Sequence, residues 1–152
     1  MPSISSLVNK LQADFTRFTF AAGDDFHWSP TDTTIYYVVG STDSASLLHE
    51  LAHAVLDHKD YAKDITLLEM EREAWSYASR QLGPTYGVTI ADNDAETALD
   101  TYRDWLHARS TCPSCQAVGV QTSKHHYSCV ACHEKWRVND ARICALRRYK
   151  IS

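Results

Sequence analysis

Hydrophobic residues follow two different periods along the first half of the chain. Apolar residues near the start recur at helical spacing and predict an amphipathic helix. They are Ile4, Leu7, Val8, Leu11 and Phe15. The β-branched and aromatic run of residues 34–39 ends at a glycine and predicts a strand. Candidate N-caps at residues 41–44 then introduce a largely apolar helix over residues 44–57.

Two further helices and a small terminal region follow. The pattern predicts a long helix over residues 63–82, and Gly83 with Pro84 is expected to end it. Another helix is expected to begin at Asp92 or Asn93 and to continue beyond residue 105. Residues 111–138 have the cysteine spacing of a zinc ribbon, and a basic tail comes after them. This sequence of elements predicts an α+β fold.

The charge changes sign along the chain. Residues 1–108 carry seven Lys or Arg and seventeen Asp or Glu, a net charge of −10. Residues 109–152 carry eight and two, a net charge of +6. The two parts are chemically different, so we place a domain boundary near Arg109. Residues 1–108 are then one domain, and residues 109–152 are a ribbon with a basic tail.

The sequence also bears on the cellular compartment. No apolar run approaches the roughly 18 residues that a membrane-spanning helix needs. Residues 1–15 lack the basic start and apolar stretch of a secretory signal. We therefore expect a cytoplasmic protein with no membrane partner. All five cysteines lie after residue 111, and such clustering favours metal binding over a disulfide framework.

The motif His49-Glu50-Leu51-Ala52-His53 carries the first candidate site. Histidines at positions i and i+4 share a helix face and can bind one zinc ion. Zinc lowers the pKa of a bound water to about 7. Glu50 is placed to accept the proton of that water and to pass it to the leaving amine. Apolar residues surround the motif, and a buried His-Glu-His group without a partner would be costly.

A catalytic zinc ion requires a third protein ligand. His58 is expected at the frayed end of the helix, about 140° round from His53. On the next helix, Glu71 shares an inward stripe with apolar residues, whereas Glu69 and Glu73 lie on the polar side. The apolar members of the stripe are Leu67, Leu68, Ala74, Trp75, Ala78 and Leu82. We favour Glu71 as the third ligand and keep Glu73 as the alternative.

The run from His49 to His53, followed by Glu71-Arg72-Glu73-Ala74, resembles the gluzincin arrangement of ImmA/IrrE-like metallopeptidases. The resemblance covers about residues 28–82. It implies a zincin-like domain with a small β-sheet, an active-site helix and a glutamate helix, in which Glu71 is the third ligand. It also implies that residues 35–39 form the edge strand that aligns a peptide substrate. The chain departs from the family at Gly83, where the usual Leu-Met-Pro ending is replaced.

Two Cys-x-x-Cys pairs carry the second candidate site. Cys112 and Cys115 are separated from Cys129 and Cys132 by thirteen residues. Each pair presents two thiolates at a spacing that suits tetrahedral zinc, and the segment between them can form a hairpin. Four thiolates close the site, so we predict a structural zinc ion here in addition to the catalytic one. Cys144 is left over as a free thiol.

The region after residue 109 mixes cations with aromatic rings, which suits phosphate contacts and base stacking. The residues are Lys124, His125, His126, Tyr127, Trp136, Arg137, Arg142, Arg147, Arg148 and Lys150. Single-stranded or double-stranded nucleic acid is therefore a candidate partner. A solvated tail, or a patch that docks on the acidic domain, is the alternative. A peptidase core followed by a ribbon also resembles the domain order of SprT-like proteases, which act on DNA-bound proteins.

We predict an intracellular zinc endopeptidase that hydrolyses a protein or peptide substrate, directed by its ribbon toward nucleic-acid-associated proteins. Glu50 is the general base, and His49, His53 and Glu71 bind the catalytic zinc. Tyr77 and His58 are the candidates for stabilising the oxyanion. The alternative is a non-enzymatic, zinc-stabilised regulator that binds nucleic acid. Glu50 separates the two hypotheses, because a structural metal site needs no carboxylate beside its ligands.

Overall fold

The computed structural model describes residues 3–139 and 147–151, so the predicted free thiol of Cys144 and the cation of Arg142 lie outside the described residues. By its contacts the chain divides into two compact units, residues 1–59 with 70–95 and residues 60–69 with 96–152. The structure combines helices with two small sheets, so the predicted α+β class is confirmed. The zincin-like assignment and the domain boundary near Arg109 stay predictions.

The first unit contains a three-stranded sheet. Helix α1 spans Ile4–Asp14, and the strands are β1 at Thr19–Ala22, β2 at His27–Ser29 and β3 at Thr34–Tyr37. Strand β3 lies in the middle of the sheet, parallel to β1 and antiparallel to β2. The prediction that residues 35–39 form an edge strand is therefore wrong, because both sides of β3 are paired. The edge strands of this sheet are β1 and β2.

The helices that follow begin at or next to their predicted starts, but the first ends earlier and the helical stretch after it ends later than predicted. They are α2 at Ser44–Val55, α3 at Asp64–Tyr77, a π-helical turn at Ala78–Leu82 and the short α4 at Gly83–Tyr86. The predicted helix end at Gly83 is wrong, because the chain stays helical until Gly87, whose φ is 68°. Gly83 has a different role. A Cβ atom there would come within 2.5 Å of the backbone oxygen of Val88.

Helix α2 lies in the core of the first unit. Its residues Leu47, Leu48, Leu51 and Ala52 are fully buried. The helix packs against β2, β3 and the π-helical turn. The other buried members of this core are Ile4, Leu7, Val8, Leu11, Phe20, Ile35, Ala54, Ala74, Ala78, Leu82, Val88 and Ile90. Because α2 is apolar on most of its surface, its polar side chains Ser44, His49 and His53 are buried with it and need partners.

The second unit contains an antiparallel sheet with its strands in chain order. Helix α5 spans Asp92–Ser110, and the strands are β4 at Val120–Ser123, β5 at His126–Ser128, β6 at Lys135–Val138 and β7 at Arg148–Ile151. Part of the predicted basic tail is therefore a strand, since β7 pairs with β6. Nowhere in residues 3–139 and 147–151 does a helix have both the length and the apolar character that crossing a membrane requires.

Candidate metal centres

The first centre is built on α2, which Asp43 fixes at its start. The Asp43 carboxylate accepts hydrogen bonds from the backbone N–H of Ser46 at 3.0 Å and from its hydroxyl at 2.6 Å. His49 and His53 then lie one turn apart with ring centroids separated by 4.6 Å. Both are buried. The capped, apolar helix thus holds two imidazole rings in a fixed relation inside the core.

The two histidines meet the carboxylate of Glu71, which α3 supplies. His49 Nε2 lies 2.8 Å from Glu71 Oε2, and His53 Nε2 lies 3.2 Å from Glu71 Oε1. Two ligands of one tetrahedral zinc ion are separated by roughly 3.3 Å. Glu71 is buried, whereas the side chain of Glu73 is 60% exposed and contacts His58. The structure therefore brings Glu71 to both Nε2 atoms and Glu73 to His58.

The chemistry of these atoms fits a metal ion. His49, Glu50 and His53 offer ligand atoms within 4.8 Å of one another, so they could hold an ion. His49 Nε2 and Glu71 Oε2 are fully buried, and besides their 2.8 Å approach to each other no described residue gives either atom a hydrogen bond. Buried polar atoms without such partners are costly unless another species satisfies them. A divalent cation between the two histidines and the carboxylate would do so.

The electrostatics of the centre favour a positive charge. Burial acts to lower the pKa of His49, but the nearby carboxylates of Glu50 and Glu71 outweigh it and raise the pKa to about 9. Burial acts to raise the pKa of Glu71, yet His49 and His53 hold that pKa well below its usual range. The pocket thus keeps Glu71 ionised and attracts a cation.

Glu50 is held beside the centre by the edge strand β2. The backbone N–H of Trp28 donates a hydrogen bond to Glu50 Oε2 at 3.0 Å, while Glu50 Oε1 lies 3.4 Å from His49 Nδ1. Trp28 lies opposite Ile35 of β3, and its N–H faces away from β3 toward Glu50. The carboxylate is therefore fixed by two contacts at the free edge of the sheet.

His58 lies closer to the centre than the sequence indicated. Its Nδ1 is 2.9 Å from His53 Nδ1, its Nε2 is 3.1 Å from Glu73 Oε2, and the side chain is buried. The prediction that His58 lies at a frayed helix end is wrong, because its ring is buried and bound on both sides. Because both of its ring nitrogens have partners, His58 has no N–H left for an oxyanion. Tyr77 packs against the core of the first unit, and its role as oxyanion stabiliser stays a prediction.

The second centre is the cluster of Cys112, Cys115, Cys129 and Cys132, whose sulfur atoms lie within 4.8 Å of one another. The Cys112 and Cys132 sulfurs are 3.6 Å apart, and those of Cys115 and Cys129 are 3.5 Å apart. These distances exclude disulfides and approach the roughly 3.8 Å between thiolates on tetrahedral zinc. The four cysteines could therefore hold a metal ion.

The two Cys-x-x-Cys turns repeat the same backbone geometry. The residue after each pair, Gln116 and His133, has a left-handed φ of 70° and 66°. Each donates its N–H to the carbonyl of the first cysteine of its pair. In addition, the backbone N–H of Cys132 donates to Cys129 Sγ at 3.5 Å and helps to lower the pKa of Cys129 to about 7. The backbone of His133 thus belongs to the turn, which agrees with a metal site made of four cysteines and no histidine ligand.

The aromatic residues of the ribbon form its core. Trp136 and Tyr127 are buried, their rings stack 5.7 Å apart, and the indole N–H of Trp136 donates to the Arg109 carbonyl. The prediction that these two rings stack on nucleic-acid bases is therefore wrong. Gly119 lies against this core, since a Cβ atom there would come within 2.4 Å of the Trp136 ring.

The second unit contains a buried ion pair that the sequence did not predict. Arg109 Nε donates to Asp64 Oδ2 at 2.7 Å, and each side chain is about 2% exposed. Asp64 also accepts a short hydrogen bond from the Tyr127 hydroxyl, and its backbone N–H donates to Gln121. Arg109 therefore anchors the ribbon from inside. Its partner is 45 residues away in sequence, so no local pattern could reveal the pair.

Comparisons with protein-family models, with curated proteins and with solved structures find no match for this chain. The interpretation of both centres therefore rests on their own geometry.

Proposed function

We propose that this protein is a zinc-dependent endopeptidase that hydrolyses peptide bonds of a protein substrate. One observation carries the proposal: two buried imidazole Nε2 atoms and a buried carboxylate converge, and a second carboxylate lies beside them. His49, His53 and Glu71 would hold the zinc ion, and Glu50 would remain for proton transfer. This division into three ligands and one free carboxylate is what hydrolysis by a catalytic zinc requires.

A zinc ion bound there would lower the pKa of a water molecule and polarise the peptide carbonyl. Glu50 accepts a proton as the water oxygen attacks the carbonyl carbon. The same carboxylic acid then gives the proton to the amine nitrogen as the C–N bond breaks. The hydrogen bond from Trp28 orients Glu50 for both transfers without supplying a proton of its own.

The substrate backbone would lie along β2. This strand is an edge of its sheet, and its central residue Trp28 contacts Glu50. An extended peptide that lies along this edge would pass beside the carboxylate that transfers the proton. The outward N–H of Trp28 is bound to Glu50, so it would not pair with the peptide. The indole N–H of Trp28 donates to the carbonyl of His58 at 2.9 Å, which anchors the strand. The proposed position of the substrate is therefore along β2, and not along β3 as the sequence predicted.

Zinc content tests the proposal most directly. We expect two zinc ions per chain in the wild type and a large loss of affinity at one site in Glu71→Gln, because a neutral amide is a far weaker ligand than a carboxylate. The measurement is elemental analysis after dialysis against graded chelator, together with cleavage of a denatured protein substrate. Glu69→Gln, an exposed acid on the same helix, is the matched control. A wild type that retains only one zinc ion would contradict the proposal.

The ribbon offers a surface that could direct the peptidase. In the register of β5, β6 and β7, alternate residues share the face opposite the buried Trp136, and we call this the outer sheet face. Its residues are His126, Ser128, Lys135, Arg137, Tyr149 and Ile151. Two are cations, one is an aromatic ring over which Arg137 stacks at 4.5 Å, and none is acidic. This composition favours single-stranded nucleic acid, which offers phosphates and exposed bases.

We expect the double variant Lys135→Ser with Arg137→Ser to weaken binding to a fluorescent single-stranded oligonucleotide. Each lost phosphate contact should lower the slope of log affinity against log salt by about 0.7. Arg103→Ser is the control, since Arg103 is a cation of α5 that pairs with Glu96 and Asp100. If the wild type shows no salt-dependent binding, the proposed role of the outer sheet face in binding nucleic acid is contradicted.

A further inference from the structure

A chain of side-chain contacts connects the first centre to the protein surface. It begins at the exposed carboxylate of Glu73, whose Oε2 is 3.1 Å from His58 Nε2. It continues from His58 Nδ1 to His53 Nδ1 over 2.9 Å. It ends at His53 Nε2, which faces Glu71 at 3.2 Å. Every ring nitrogen in the chain therefore has one defined neighbour.

The contacts leave one arrangement of protons that suits a metal ion. A neutral imidazole has one N–H donor and one acceptor nitrogen. If His53 Nε2 offers its lone pair to a metal, then His53 Nδ1 carries the proton and must donate to His58 Nδ1. His58 Nε2 then carries a proton and donates to the carboxylate of Glu73. Each step of the chain is satisfied in this direction.

The backbone after α2 turns back so that the His58 ring reaches the His53 ring. His58 N–H donates to the carbonyl of His53 at 2.9 Å, and Asp57 N–H donates to the carbonyl of Ala54 at 3.1 Å. Asp57 has a left-handed φ of 58°. This is a Schellman motif, in which His58 and His53 occupy the two positions that normally make a hydrophobic contact. Here the contact is a hydrogen bond between imidazole rings, and an aspartate stands where glycine is usual.

We infer that His58 and Glu73 are positioning residues that hold His53 in the tautomer protonated at Nδ1. This inference rests on the proposed function, since it assumes that His53 Nε2 binds the metal. Partners of this kind orient a metal-ligating histidine and raise its basicity, and their loss weakens metal binding by about 10- to 100-fold.

Zinc affinity at the first centre tests the inference. We expect His58→Leu to weaken zinc binding there by about 10- to 100-fold, with the four-cysteine site unchanged. His58→Asn, whose amide oxygen can accept near the place of Nδ1, should recover most of the loss. His107→Leu, which removes an exposed histidine of α5, is the control. The readouts are competition with a chromophoric chelator and the visible spectrum of the Co²⁺-substituted protein.

The outcomes separate the two proposals. If the wild type binds zinc only at the cysteines, the proposed function fails. If it binds two zinc ions but the leucine variant keeps full affinity, or the leucine and asparagine variants are equally impaired, the role of His58 is overturned alone. A measurement on the unmodified protein tests the inference even where a variant does not fold. A nitrogen–nitrogen coupling across the hydrogen bond between His53 and His58 is expected by NMR, and its absence in the two-zinc protein overturns the inference.

Discussion

Glu50→Gln is expected to lower the rate of peptide hydrolysis by about 10²- to 10⁴-fold, the usual contribution of a general acid–base group. The amide cannot accept the proton of the attacking water. It can still accept the hydrogen bond that the Trp28 N–H gives to Glu50 at 3.0 Å, so we expect the fold to be retained. The three proposed ligands remain in place, and the variant should therefore keep two zinc ions.

The experiment compares kcat of purified wild type and Glu50→Gln on the same unfolded protein substrate, with zinc content measured on both. Glu69→Gln, which removes an exposed carboxylate from another helix, is the control for the loss of one negative charge. A variant that keeps two zinc ions and cleaves at the wild-type rate would remove Glu50 from the mechanism. A wild type that binds two zinc ions and cleaves no peptide would favour the alternative, a zinc-stabilised regulator.

The features that could be predicted from sequence are those that a single helix or a short spacing determines. The spacing of His49 and His53 places both rings on one face of α2, where the structure has them. The apolar stripe of the next helix placed Glu71 inward and Glu73 outward, and their burial agrees with this. The four cysteines form one cluster, as their two short spacings indicate.

The features that could not be predicted depend on turns and on the order of strands. His58 was placed at a frayed helix end because it lies about 140° round an ideal helix from His53. Asp57 instead adopts the left-handed conformation that turns His58 back onto His53. Nothing in the run of residues 34–39 shows whether that strand will be paired on one side or on both. The parallel pairing with β1 makes it central.

Removal of zinc from the four-cysteine cluster is expected to unfold the sheet of β4 to β7. Apart from the buried cysteines, the buried hydrophobic members of this core are Tyr127, Trp136 and Val138. At about 1.5–3 kcal/mol for each buried side chain, they contribute less than 10 kcal/mol or so. Zinc binding to four thiolates contributes on the order of 10–16 kcal/mol, which is more than this small core supplies.

Cys129→Ser tests this balance, since Cys129 is buried and its sulfur accepts hydrogen bonds within its turn. We expect the variant to lose one zinc ion and the amide protons of Tyr127 and Trp136 to lose their protection from hydrogen exchange. Ser114→Ala is a change within the other turn that leaves all four sulfurs. This variant should keep the zinc ion and the protection of these amide protons. Protection that persists in a zinc-free Cys129→Ser ribbon would mean that Asp64 and Arg109, with the aromatic core, suffice to hold the sheet. The cluster would then not be a structural metal site.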